Sequence, residues 1–221
     1  MKEIELYLIR QCKNNLCNFR YPAPANSGIG VNCPKCKYDT EIIHHINLTH
    51  TEISKNNVQK PGINLEIALD NIRSTFNVGA IFRSADGVGI KKLHLCGITP
   101  SPTNIKVLKT SLGSEKTMNY ESHHNALTLV KNMKQKGYRI WALEITAYSH
   151  SIFDYEITNN SEPTLLVIGN EITGIDPDVL NECELHLHIP MVGIKNSLNV
   201  AIAFGIAVYS LVGRNFSIIQ V

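Results

Sequence analysis

The chain has 221 residues, 43% of them hydrophobic and 18% charged, enough for one full α/β core and a small appendage. No stretch approaches the roughly 20 apolar residues that cross a bilayer, and Glu3 and Glu5 stand where a secretory leader would be basic, so a cytoplasmic protein with no membrane segment is expected. The net charge of +2 hides an uneven spread: Lys and Arg against Asp and Glu stand at 8 to 5 over residues 1–60, 7 to 2 over 102–139 and 0 to 9 over 140–190.

Four of the six cysteines open the chain, as Cys12-x4-Cys17 and Cys33-Pro34-Lys35-Cys36. Two thiolate pairs at short spacing can close a tetrahedral Zn²⁺ site, and in a reducing cytosol this is favoured over two disulfides. Residues 1–46 are therefore read as a zinc-ribbon-like module with Cys12, Cys17, Cys33 and Cys36 as metal ligands. His44, His45 and His50 lie near enough in sequence to substitute. Four sulfurs leave no open coordination position, so the ion is structural, supplying folding energy on the order of 10 kcal/mol to a segment too poor in apolar side chains to fold unaided. Arg10, Lys13, Arg20, Lys35 and Lys37 surround it and suit contact with phosphates.

Residues 47–61 are polar and end in Pro61-Gly62, a linker. In the main domain, 62–221, β-type runs at Leu65–Leu69, Lys92–Leu95, Ile140–Ile145, Leu165–Ile168 and Leu185–Ile189 alternate with helical stretches. That alternation predicts a mostly parallel sheet with helices on both faces. One helix follows Asn77, read as its N-cap, through Val78, Ile81, Phe82, Ala85 and Val88 to a stop at Gly89. A second spans Ala126 to Lys136. A third, Ser197 to Val212, is apolar nearly all round and should be buried against the sheet or a second subunit.

Neither a G-x-G-x-x-G turn nor a G-x4-G-K-[ST] loop is present, which removes dinucleotide dehydrogenases and phosphate-loop enzymes. Polar residues gather at strand ends instead: Asn71, Arg73, Asn77 and Arg83, then Gly169-Asn170-Glu171, then Ser197-Leu198-Asn199. Lys109 to Lys116, a mixture of lysines, hydroxyls and glycine, could also grip phosphates.

The three clusters lie within LDNIRSTFNVGAIFRSADGVG (Leu69–Gly89), LLVIGNEITGI (Leu165–Ile175) and LHIPMVGIKNSLNVAIAFGIAVYSL (Leu187–Leu211). In content, order and spacing these resemble the three motifs of the SpoU family of RNA methyltransferases, within the superfamily that shares a C-terminal trefoil knot. The resemblance covers nearly everything from Gly62 to Leu211. It implies a knot in which the third motif threads a loop of the second, and S-adenosylmethionine held by Leu143, Glu144, Gly169, Ile189, Met191 and Leu198. It also implies a homodimer whose active site borrows residues from the partner, acting on a ribose 2′-hydroxyl of tRNA or rRNA.

A ribose hydroxyl is a poor nucleophile at neutral pH unless its proton is removed or its geometry fixed. Arg83 matches the family's catalytic arginine, and two roles for it stay open: proton acceptor, or cation that positions the neighbouring phosphate, since a guanidinium ordinarily stays protonated. Asn77 would hold the arginine or the RNA backbone, Glu171 would orient the site, and Ser197 and Asn199 would complete it. Two other readings fit the same scaffold, a non-catalytic RNA-binding protein and a base methyltransferase. The pattern Asn71, Arg73, Asn77, Gly79, Arg83 favours ribose chemistry over the latter.

Overall fold

The computed structural model describes residues 5–28, 30–48, 64–157 and 162–213. The chain divides into two compact units, Met1–Val58 and Gln59–Val221. Of the expected linker, residues 49–61 lie outside the described residues, as does His50.

In the smaller unit, β1 (Glu5–Cys12), β2 (Arg20–Pro24) and β3 (Thr40–Leu48) form an antiparallel sheet ordered β2-β1-β3. The third strand runs two residues past the module boundary drawn at 46. Among the described residues of this unit the buried apolar side chains are Leu8, Cys12, Ala23 and Cys33, two of the four being cysteine.

The larger unit is built on seven strands: β4 (Leu65–Asp70), β5 (Lys92–Cys96), β6 (Tyr120–His123), β7 (Arg139–Leu143), β8 (His150–Ser151), β9 (Thr164–Ile168) and β10 (Leu185–His188). Their order is β6-β5-β4-β9-β7-β10-β8, and every pairing is parallel. The five apolar runs all become strands. β6 and β8 were not foreseen, because β6 is a polar, mostly exposed edge and β8 is two residues long.

Side-chain alternation then decides which helix layer each strand meets. Leu65, Ile67 and Leu69 of β4 and Leu93 and Leu95 of β5 face α1 (Thr75–Val88) and α5 (Val200–Val212). Ala68 of β4 and Cys96 of β5 face the other way, with Leu165 and Val167 of β9, toward α3 (Ala126–Gln135) and α4 (Pro177–Glu182). A short helix, α2 (Ile105–Ser111), packs on α1.

Two helix starts differ from expectation. Ser74, not Asn77, caps α1: its hydroxyl accepts the Asn77 N–H, which leaves the Asn77 side chain free within the first turn. The last helix starts at Val200, not Ser197, and Asn199 caps it, its side-chain oxygen accepting the Ala201 and Ile202 N–H groups. The α5 helix, apolar nearly all round, is buried along one face only. Phe204, Ala207, Val208, Leu211 and Val212 are enclosed, while Ile202 and Tyr209 are 57% and 49% exposed. Among the described residues no helix is long and apolar enough to cross a membrane.

Candidate active site

The chain reverses direction across the sheet at β4, whose neighbours are β5 on one side and β9 on the other, and polar groups collect beyond the carboxyl ends of the strands there. A cavity of ≈ 810 Å³ opens beyond β7, β9 and β10 and beside the N-termini of α1 and α5. The predicted strand runs end early for this reason: Glu144 and Ile145 after β7, and Ile189 after β10, leave the sheet to line the cavity.

After β9 the chain turns back within six residues. Asn170 and Gly174 exchange both backbone hydrogen bonds at 3.0 Å, and Asn170 Oδ1 accepts the N–H groups of Ile172 and Thr173. Gly169 must be glycine, since a Cβ there would lie 2.2 Å from the nitrogen of Ile175 and 2.3 Å from the carbonyl carbon of Gly174. The Glu144 carboxylate pins this turn to the end of β7: Oε2 accepts the Ile175 N–H at 3.2 Å and Oε1 the Ile145 N–H at 3.0 Å.

Glu171, at the tip of the turn, reaches the start of α1. Its carboxylate accepts the N–H groups of Arg73 (2.9 Å) and Ser74 (3.1 Å) and the Asn77 side-chain amide (2.9 Å). These donors lie at the entry to the helix, where backbone N–H groups lack intrahelical partners and the helix dipole favours an anion. Partial burial works to raise the Glu171 pKa, but the three donors outweigh it and hold the group below the ordinary carboxylate value. It is therefore an anion at neutral pH and a poor proton donor. The same Asn77 accepts through Oδ1 from Asn199 Nδ2 at 3.1 Å. Glu171, Asn77 and Asn199 thus form one chain across residues 94 and 122 positions apart, joining the N-termini of α1 and α5.

Every residue expected to hold a cofactor, Leu143, Glu144, Gly169, Ile189, Met191 and Leu198, lines this cavity, as do Asn77, Glu171, Ser197 and Asn199. Arg83 does not. It is exposed on α1, six residues and about 9 Å of helix beyond Asn77. Arg73, Ser74, Asn170 and Asn196 also line the cavity. Of these, Ser74 and Asn196 carried no expectation, and the signal that could have found Ser74 was its spacing of three before Asn77, that of a cap and its N3 residue. The Lys109–Lys116 segment lies outside the lining. Glu115 folds it on itself, accepting from the Ser111 hydroxyl and the Gly113 N–H.

In the smaller unit the four cysteine sulfurs lie within 4.8 Å of one another, with Cys12–Cys36 at 3.4 Å and Cys17–Cys33 at 3.8 Å. The two cysteine loops close alike. The residue after the second cysteine of each, Asn18 (φ 47°) and Lys37 (φ 64°), is left-handed, and each loop is held by backbone bonds, Cys17 and Asn18 to Asn14 and Lys37 to Cys33. Burial opposes the Cys33 thiolate, yet the N–H groups of Cys36 and Lys35 directed at its sulfur outweigh this and bring its pKa to about 7. His44 and His45 do not join the cluster.

Comparison with known proteins gives one consistent pattern. The profile of the SpoU rRNA Methylase family matches residues 64–209. The chain is 30% identical over 152 residues to the tRNA (guanosine(18)-2′-O)-methyltransferase of Aquifex aeolicus, covering 69% of this chain and 70% of that protein. It is 31% identical over 147 residues to the 23S rRNA (guanosine(2553)-2′-O)-methyltransferase RlmP of Bacillus subtilis, covering 66% of this chain and 57% of that one. Among solved structures, the AdoMet-bound rRNA methyltransferase from Sinorhizobium meliloti superposes with a TM-score of 0.61 at 28% identity, covering 66% of this chain and 54% of the other. The chain thus spans between about half and 70% of the length of these three proteins.

Proposed function

We propose that this chain, which belongs to the SpoU rRNA methylase family, transfers the methyl group of S-adenosylmethionine to a ribose 2′-hydroxyl of tRNA or rRNA. The observation that carries the reading is the convergence of three sequence-distant segments on one cavity through the Glu171–Asn77–Asn199 chain. The names of the relatives point the same way.

The cavity suits the cofactor. Its volume falls within the roughly 300–1,000 Å³ of small-molecule sites, and Leu143, Ile189, Met191 and Leu198 give it apolar walls. The carboxylates of Glu144 and Glu171, against Arg73 as the one Lys or Arg among the described lining residues, favour a positively charged sulfonium. When bound, S-adenosylmethionine supplies a methyl group activated by that sulfonium.

The protein's part is positioning. Glu171 is committed to the α1 N-terminus and keeps Asn77 in place, and Asn199 fixes the other end of the same amide. Ser197 makes no hydrogen bond among the described residues and is available to the ribose or a phosphate. Arg83, outside its own protomer's cavity, would serve the partner's cleft in a homodimer. In support, Ile202, Ile206 and Tyr209 expose an apolar stripe at i, i+4 and i+7 on α5, beside α1.

The trefoil knot is part of the proposal. β10 lies between β7 and β8, which are consecutive in the chain, and Glu144 and Thr146 of their connection bond to Leu187 and His186 of β10. The N-terminal unit is proposed to hold structural zinc, because the four sulfurs lie within 4.8 Å of one another and the 3.4 Å and 3.8 Å pairs fall just short of or match the ~3.8 Å edge of a tetrahedron with Zn–S bonds near 2.3 Å. Stacked Phe19 and Tyr21 rings, 5.5 Å apart, in a unit whose sequence also carries Lys13, Arg20, Lys35 and Lys37, suit a grip on single-stranded RNA.

The test is transfer of labelled methyl from S-adenosylmethionine to separate pools of unmodified tRNA and rRNA, with mass spectrometry of the digested nucleosides. A 2′-O-methylnucleoside is expected, from the tRNA pool first because a compact chain suits a compact substrate. A base-methylated product, or no product together with no cofactor binding, overturns the assignment.

A further inference from the structure

A second polar cluster sits in the larger unit on the α3 side of the sheet, away from the α1–α5 layer. His94 projects from the middle of β5, and its Nε2 lies 2.7 Å from Glu66 Oε2 on β4. The other oxygen of that carboxylate accepts the Tyr138 hydroxyl at 2.9 Å. Both members of the pair are nearly enclosed, Glu66 at 5% and His94 at 2% exposure. Burial works against the Glu66 carboxylate, but the His94 and Tyr138 hydrogen bonds prevail and keep it below its ordinary pKa. An ionised carboxylate can only accept, so His94 Nε2 carries a proton, and in the neutral imidazole its Nδ1 presents a lone pair.

That lone pair points to His123 on β6, whose Nε2 is 2.9 Å away, and Glu121 from the same strand completes the group. One ligand atom from each of His94, His123 and Glu121 lies within 4.8 Å of the others. Lys92 and His123 both approach Oε2 of Glu121, which leaves Oε1 without a partner among the described residues. A cavity of ≈ 710 Å³ adjoins all three side chains.

We propose that His94 Nδ1, His123 Nε2 and Glu121 form a binding site for a divalent ion of the zinc class, separate from the cysteine cluster and from the methyl-transfer cavity. Two imidazoles and one carboxylate are a donor set for borderline metals, and three protein ligands leave a coordination position open to the cavity. The Glu66–His94 bond is the support such a site requires: a metal-bound histidine gives its other N–H to a carboxylate that fixes its tautomer and orientation. Here Tyr138 holds that carboxylate in turn. The ion needs His123 to carry its proton on Nδ1, and it must part the two rings by about 0.4 Å, from 2.9 Å to the ~3.3 Å edge of a tetrahedron with Zn–N near 2.05 Å. His123 lies on an edge strand and is partly exposed, so it can yield.

The test is titration of the full chain with Zn²⁺ and Co²⁺, followed by calorimetry and visible absorption, for wild type, His123→Ala, Glu121→Gln and the Cys33→Ser/Cys36→Ser double variant. Wild type should take up one equivalent whose Co²⁺ spectrum lacks thiolate charge-transfer bands. His123→Ala should weaken that equivalent at least tenfold, Glu121→Gln should weaken it less, and the double cysteine variant should retain it. Circular dichroism checks that the variants are folded. Equal uptake and affinity in wild type and folded His123→Ala, or loss of all binding in the cysteine variant, overturns the proposal.

Discussion

Replacing Glu171 by Gln leaves one side-chain oxygen where there were two and removes the charge at the start of α1. The surviving oxygen can still meet Ser74 N–H and the Asn77 amide, as Oε1 does now, but an NH₂ group then faces the Arg73 N–H. The lost charge-assisted bond and the opposed donors cost roughly 1–3 kcal/mol, and the lost helix-dipole interaction adds a few tenths. Glu171 is exposed, so solvent screening brings the expected net loss to about 1–2 kcal/mol. In a unit of this size that lowers Tm by roughly 2–8 °C. Because the folded-state pKa of Glu171 is depressed, its contribution is fully present above the unfolded value near 4.5 and is lost as pH falls through the folded-state value. Thermal unfolding can be followed through Trp141, the single tryptophan, which is buried in β7 and reports on the larger unit alone. Equal Tm values at pH 7, or a difference that does not narrow on acidification toward pH 3, would refute the capping argument.

Arg83→Ala should abolish methyl transfer and leave S-adenosylmethionine affinity nearly unchanged; normal turnover would remove Arg83 from the mechanism. Gly169→Ala forces the turn after β9 apart, so cofactor affinity by calorimetry should fall at least tenfold, and an unchanged value would mean that this turn does not shape the cavity. Cys33→Ser with Cys36→Ser should release one zinc per chain by elemental analysis and weaken RNA binding; a wild-type protein whose cysteine cluster holds no zinc sinks the ribbon assignment. Ile206→Glu, at a position 36% exposed on α5, should convert a dimer to monomers in sedimentation without unfolding the chain, whereas an unaltered oligomeric state places the interface elsewhere.

Much of the fold was legible because apolar runs in parallel sheets are buried on both faces and so stand out. All five predicted strands formed, and Gly89, at φ 82°, ends α1 where expected. The misses have two causes. β6 has no apolar pattern to announce it, since it is an edge strand held by backbone pairing to β5. The two helix starts were placed three residues off because Ser74 and Asn77, and likewise Ser197 and Asn199, are all competent caps by residue type, and local pattern does not rank them.

The sequence by itself determined the α/β class and the four-cysteine pattern, because those follow from local periodicity and from residue types at fixed spacing, and the residues that line the cavity were reached only through the resemblance of its motifs to a family. Tertiary structure alone decided that Asn77 spends its side chain on Glu171 and Asn199, that Arg83 stands outside the cavity lining, and that Glu66, His94 and His123 meet on three adjacent strands. Hydrogen-bond partners 28 to 122 residues apart are chosen by strand order and helix placement, which no local pattern encodes.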